Sequence, residues 1–315
     1  METEQAMLRS IYASHTPLLK KGEADPDARE RVRTAFAELA TVVRDFDPHL
    51  IIQFSPDHFN GFFYDMMPAF CIGVCALSVG DYDTFEGPMP VPEAEARDLA
   101  DTVLASGIDA AISYRMVLDH GFVQIWDEMF GRADVYPMIP IFVNCAAPPI
   151  STYRRARLLG EAVGHWAAKS GKRVLIAASG GLSHDPPFPD IRTAPPEVRE
   201  RLVANRNPTA VQREAHQERV LAAGGAAMRG EGPCLPLNPI WDREVIEAFL
   251  QNTTLKFDAF DVDQVRSVAG RGGNELLAWV AAHAAHAVSG QPRAKLHCYE
   301  RMDGWIAGMA IMSAL

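Results

Sequence analysis

Apolar and polar positions fall into blocks along this chain, and the period of each block names an element. From Pro26-Asp27 onward, Val32, Ala35, Phe36, Leu39 and Val43 recur at steps of three and four. That is the spacing of one buried helix face, and Asp47-Pro48 closes the block. Residues 50–54 form a short continuous apolar run, the pattern of a strand buried on both faces. Pro92 stands in the first turn of a second helical block, which reaches about Ala105 and stops at Ser106-Gly107. Strands are expected at residues 108–113 and 138–143, and a long helix from about Thr152 to Lys169. Residues 172–178 read as the clearest buried strand and run into Ser179-Gly180-Gly181. Residues 195–229 are highly charged and helical in pattern, a peripheral excursion or an oligomer contact. A last helix is expected from about Asn274 to Val288. Helices alternating with short apolar strands imply an α/β fold of three layers, with a central parallel or mixed sheet covered by helices. Neither a repeat nor a domain boundary interrupts the pattern. The expectation is one domain over residues 1–315 with a helical excursion at about 195–230.

Composition narrows the function classes. Almost half of the 315 residues are hydrophobic, enough for a sizeable core. The net charge of −10 argues against a nucleic-acid binder, because neutralising phosphates needs clustered Lys and Arg. No run of about 18 apolar residues occurs, so no transmembrane helix is expected. The N-terminal stretch METEQAMLRSIYASH is acidic at its tip and lacks the basic start and apolar core of a signal peptide. The cysteines Cys71, Cys75, Cys145, Cys234 and Cys298 are too scattered for a disulfide framework. Cys71 and Cys75 make one CxxxC without a second pair, which argues against a thiolate zinc site. They read as buried free thiols of a cytoplasmic protein.

The candidate chemistry lies in the histidines. His49 follows Asp47-Pro48 in a connector, and His165 and His216 fall within helices as surface or packing residues. His283 and His286 are one helical step apart, and His297 reads as part of a polar tail beside Cys298. Four others follow apolar stretches: His15 in YASHTPLL, His58 in SPDHFNGFFYD, His120 in VLDHGF and His184 in LIAASGGLSHDPP. At His120, Gly121 is expected to free the backbone. In α/β sheets, the loops beyond the carboxyl ends of the strands are where sites assemble. A carboxylate is available from Glu275 in AGRGGNELLAWVAA, although an acid is favoured in a first helical turn anyway. Two histidines and one carboxylate with open positions make the facial triad of non-haem Fe(II) oxygenases. HExxH is absent, which leaves a zincin-type hydrolase poorly supported. Asp57 and Asp119 each precede a site histidine and read equally as orienting groups or as solvated turn acids. Phe59, Phe62, Phe63 and Tyr64 read as pocket lining or as core.

The stretches SPDHFNGFFYDMMPAFCIG, DHGFVQ, SGGLSHDPPFP, LNPIWD and WVAAHAA resemble the class III extradiol ring-cleavage dioxygenases. The resemblance spans nearly the whole chain, from SHTPLL to GWIAG. It implies Fe(II) held by His15, His58 and Glu275, with His120 and His184 as acid–base residues. His120 would accept the second catechol proton, and His184 would donate to the departing oxygen. The implied reaction inserts both atoms of O2 into a 3-substituted catechol, 2,3-dihydroxyphenylpropionate first, to give a ring-opened hydroxy-oxo-dienoate. A homo-oligomer is implied as well. One departure stands beside the proposed ligand, Asn274, where that family commonly carries His. Rival readings keep the chemistry and change the ring to an aminophenol, a gallate or a biaryl catechol. Others replace it with a zinc hydrolase on the same ligands, or with a non-catalytic partner subunit. The last should lack a ligand, and this chain retains all three. Arg115 in SYRMVLDH is near the site in sequence and is not assigned to a substrate carboxylate.

Overall fold

A computed structural model describes residues 6–206 and 208–315; the acidic tip, on which the signal-peptide reading bears, lies outside the described residues. In chain order these form β1 (Met7–Ala13), α1 (Pro26–Phe46), β2 (Leu50–Ser55), β3 (Phe70–Gly73), β4 (Ala76–Val79), β5 (Glu86–Pro88) and α2 (Glu93–Ala105). There follow β6 (Ala111–Ser113), β7 (Met116–Leu118), α3 (His120–Phe130), β8 (Met138–Val143), α4 (Tyr153–Ala168) and β9 (Arg173–Ser179). The remainder is α5 (Pro196–Ala204), α6 (Ala210–Met228), α7 (Pro239–Leu250), α8 (Val262–Ala269), α9 (Leu276–Ala287), β10 (Ala294–Met302) and β11 (Ala307–Ala314).

The large sheet has the order β10-β11-β1-β9-β2-β8-β3-β6. Its centre, β1-β9-β2-β8, is parallel, with Ile11 opposite Ala177 and Ile52 opposite Ile176. β11 and β10 extend one edge antiparallel, and β3 joins β8 antiparallel on the other. A smaller sheet, β5-β4-β7, stands apart from it.

Each central strand feeds two cores, which is why it reads as an apolar run and not as an alternation. Leu50, Ile52 and Phe54 join Val163 of α4 and Trp279 of α9 on one face. Ile51 joins Phe36 of α1 and Trp126 of α3 on the other. The layers are therefore helix, mixed sheet, helix, as the pattern implied. Asp25 caps α1 by accepting from the Ala28 N–H, and Pro26 fits the first turn where no donor is needed. On the opposite face α4 and α9 meet backbone to backbone. A Cβ at Gly160 would stand 2.0 Å from the Ala281 carbonyl oxygen, and one at Gly164 would stand 2.2 Å from that of Ala285. Among the described residues, no helix is long and apolar enough to cross a membrane.

Three expectations need correction. The strand expected at 108–113 is only Ala111–Ser113, because the Ile108 N–H bonds back to Val103 at the end of α2 and β6 has one neighbour. His297 lies in β10, not in a tail: its Nδ1 is 3.0 Å from Glu38 and its Nε2 is 2.9 Å from Ser313. All five cysteines are unpaired, but only Cys71 and Cys145 are buried, and Cys75 is exposed.

Candidate functional site

The parallel strands β1, β9 and β2 end side by side, and their exits carry three of the four singled-out histidines. His15 follows β1, His58 follows β2, and His184 closes the loop after β9. Each imidazole is held from behind. His15 Nδ1 is 2.9 Å from the Oγ of Ser179, the last residue of β9. His58 Nδ1 is 3.0 Å from Asp119 Oδ2, which also accepts the His58 backbone N–H at 2.8 Å. His184 Nδ1 donates to the Leu182 carbonyl at 3.0 Å.

The forward nitrogens converge. His15 Nε2 and His58 Nε2 are 3.3 Å apart. Glu275, 1% exposed, closes the group from the other side. Its Oε1 is 3.4 Å from His58 Nε2 and 3.1 Å from His184 Nε2, and its Oε2 is 3.9 Å from His15 Nε2. The Gly181 N–H donates to Oε2 at 2.7 Å, which fixes the carboxylate. Glu275 belongs to a short 3-10 turn, Gly273–Glu275, and α9 begins only at Leu276.

His120 joins the group from α3. Its ring stacks on His58 at 4.3 Å between centroids. His15, His58 and His120 each place one nitrogen within 4.8 Å of the others, so His120 is a geometric alternative to Glu275 as a third donor. His120 does not sit in a loop loosened by Gly121. It is the first residue of α3, and Gly121 serves close packing, since a Cβ there would meet His58 Cε1 at 2.9 Å. The His120 Nδ1 is bound to Asp81, which also accepts the His120 backbone N–H at 2.7 Å. His120 Nε2 is buried without a partner among the described residues.

Charge follows this geometry. Burial pushes His15 down to about 3, against the pull of Glu275, so it is a neutral imidazole at neutral pH. Burial alone would raise the Glu275 carboxyl, but the imidazoles of His184 and His15 hold it well below the usual carboxylate range. Burial would lower His58, but Asp119 and Glu275 outweigh it and draw a proton there.

The two aspartates that read alike in sequence have separate jobs. Asp57 orients no imidazole. Its carboxylate accepts the backbone N–H groups of Asn60, Gly61 and Phe62 and builds the turn after His58, and it is buried, not solvated. Asp119 caps α3 through the Gly121 N–H and holds His58, not its own neighbour His120. Asp81 was not visible as a site residue, since nothing in GDYDTF points to a histidine far along the chain. Asn274 faces away from the site: its amide donates to the Val262 carbonyl at 2.9 Å and it accepts from the Tyr153 hydroxyl at 3.0 Å.

Above the imidazoles lies a cavity of about 900 Å³, with His15, His58, His120 and His184 on one wall and α5 and α6 on the other. Phe59 and Phe63 line it, whereas Phe62 stacks on Phe142 at 3.8 Å in the core. His216, read as a surface or packing residue, is exposed and also borders the cavity; Arg115 is exposed and does not border it. His283 and His286 point instead to β1, where His286 Nδ1 is 2.8 Å from Ser10 Oγ.

Comparison with known proteins agrees with this architecture. The family described as the catalytic LigB subunit of aromatic ring-opening dioxygenase matches residues 9–310. A protein of Photorhabdus laumondii named 2,3-dihydroxyphenylpropionate/2,3-dihydroxicinnamic acid 1,2-dioxygenase is 46% identical, over 98% of this chain and 97% of its own. Proteins of the same name from a Rhodococcus species and from Azotobacter vinelandii are each 45% identical, over 96% of both chains. A solved structure of an uncharacterized Escherichia coli K12 protein shares the fold at a TM-score of 0.51 and 14% identity, covering 96% of this chain and 98% of that one.

Proposed function

This chain belongs to the aromatic ring-opening dioxygenase family of the catalytic LigB subunit, and we propose that it opens a 3-substituted catechol by extradiol cleavage with ferrous iron. The proposed substrates are 2,3-dihydroxyphenylpropionate and its cinnamate counterpart, the compounds for which the relatives are named. His15, His58 and Glu275 are the proposed iron ligands, with His120 and His184 as the proton-handling residues.

One observation carries the ligand set. With each Nδ1–H donated to Ser179 or Asp119, the Nε2 lone pairs of His15 and His58 face one point across 3.3 Å, beside a carboxylate. Such a pair repels unless a proton or a cation lies between them. The proton that Asp119 and Glu275 draw to His58 marks a place that a cation would take, and metal binding at such a site releases protons. Two imidazoles and one carboxylate suit iron with open positions. His120 is kept for proton handling, because its Nε2 has no partner among the described residues whereas Glu275 already lies beside His58 Nε2.

Ferrous iron held by His15, His58 and Glu275 would supply catechol chelation and electron transfer to O2. The chain supplies the proton traffic. Asp81 fixes the His120 tautomer with hydrogen on Nδ1, so Nε2 carries the lone pair that takes the second catechol proton. The Leu182 carbonyl likewise holds His184 by Nδ1, and its Nε2, 3.1 Å from Glu275 Oε1, is the proposed donor of a proton to the departing oxygen. Phe188, 5.9 Å from the His58 ring, and the neighbouring prolines make an apolar wall that excludes water.

The chain is further proposed to act as one catalytic domain, in the cytoplasm, as a homo-oligomer, and light scattering of the purified protein reads the last point. Free thiols support the location. The deciding experiment adds 2,3-dihydroxyphenylpropionate to anaerobically Fe(II)-loaded protein and follows oxygen uptake and yellow product. Stoichiometric uptake that disappears in Glu275→Ala is expected. Turnover with Zn(II) and no oxygen would sink the reading in favour of a hydrolase.

A further inference from the structure

The cavity wall opposite the imidazoles has one sign of charge. In a chain with a net charge of −10, the cavity is bordered by Arg201, Arg213 and Arg219 of α5 and α6. Among the described residues the one carboxylate on its lining is Asp81, already bound to His120. A concave apolar site with unpaired cations focuses a positive potential and selects an anion.

Among the three, Arg219 is tied to the reacting end. Gln212, His216 and Arg219 are spaced by four and three along α6 and so share the helical face that borders the cavity. Arg219 lies close enough to Tyr82 that its charge opposes the effect of burial on that hydroxyl, and Tyr82 packs edge-on against His120 at 5.0 Å. Its one recorded side-chain contact is a long 3.5 Å approach of Nη2 to His216 Nδ1. No carboxylate among the described residues pairs with it, whereas Arg206 in the same segment is bound to Asp65 at 2.6 Å. The guanidinium fork therefore stands ready for a planar, bidentate partner.

We propose that Arg219, with His216 beside it, anchors the side-chain carboxylate of the substrate and so selects catechols whose 3-substituent ends in an acid. This rests on the ring-opening reading and names the substrate class of that same site.

The test separates the anchor from the chemistry. Calorimetric titration of the intact protein compares 3-phenylpropionate with 3-phenylpropan-1-ol, which share the ring and chain but carry no catechol for a metal. The wild type should favour the carboxylate by about tenfold or more, the strength of one charge-assisted contact. Arg219→Gln should bring the ratio close to one, and Arg219→Lys should keep part of it. In turnover of 2,3-dihydroxyphenylpropionate, Arg219→Gln should raise KM far more than it lowers kcat. A wild type without preference overturns the proposal. So does a preference that survives Arg219→Gln or vanishes instead in Arg213→Gln. If the preference holds while iron-loaded protein opens no catechol, the ring-opening reading fails and the anchor stands.

Discussion

Asp119 and Asp81 each grip one imidazole by its Nδ1, yet their removal should be felt in different quantities. Asp119 stands behind a proposed iron ligand, so Asp119→Asn should weaken metal affinity about 10- to 100-fold. Asp81 stands behind a proposed base, so Asp81→Asn should leave metal affinity close to wild type and lower kcat about 100-fold. Chelator competition and single-turnover rates read the two, and equal losses in both would contradict the division of roles. The candidate histidines were legible because each follows an apolar stretch, and Glu275 because it stands at the head of an apolar helix. Their partners were not. Asp57 and Asp119 look alike in sequence, and only the approach of α3 to the exit of β2 decides that one builds a turn and the other holds His58. Asp81 owes its place to the small sheet, whose short strands carry no strong pattern.

At the level of elements, α4 and α9 are coupled through the absence of side chains at Gly160 and Gly164. A methyl at either position enters the van der Waals shell of a carbonyl oxygen on α9, and backbone cannot move aside as a flexible side chain can. Gly164→Ala should therefore destabilise by about 1–3 kcal/mol or more, although alanine is the better helix former. A lower denaturation midpoint at unchanged helical content would bear this out; an unchanged or raised midpoint would refute it. Periodicity gave α1, α4 and the central strands β2, β8 and β9 close to their ends, because long apolar stripes and doubly buried runs are strong signals. It missed β1, β3 to β5, β7, β10 and β11, along with α3, α7 and α8, and drew β6 too long. Edge strands with one neighbour mix polar and apolar residues, and α3 is only 11 residues long, which gives its apolar stripe little room to repeat.

For the whole molecule, acid is a specific weakness. His283 and His286 are buried between α9 and β1 with Ser10 and Tyr12, and burial pushes each down to about 4. Their folded value lies below the ordinary 6.5, so between the two the unfolded chain binds protons that the folded chain refuses. Stability is then fully present above about pH 6.5 and lost as the pH falls towards 4, by at most about 3 kcal/mol for each histidine. The urea midpoint should drop between pH 7 and 5, and the drop should shrink in the His283→Gln/His286→Gln double variant; an equal drop in that variant would place the acid weakness elsewhere. The sheet order has its own consequence during synthesis. β1 comes before β9 and β11 in the chain yet pairs with both, so Ile11 waits for Ala177 and Ser313. The strand that presents His15 thus has both hydrogen-bonding edges open until β9 is made, and one open until β11 is made. Loop closure over such separations is slow, and an unpaired apolar strand is prone to join the wrong chain. A chaperone that shields the nascent N-terminal segment would govern the yield of active protein more than any step that follows release.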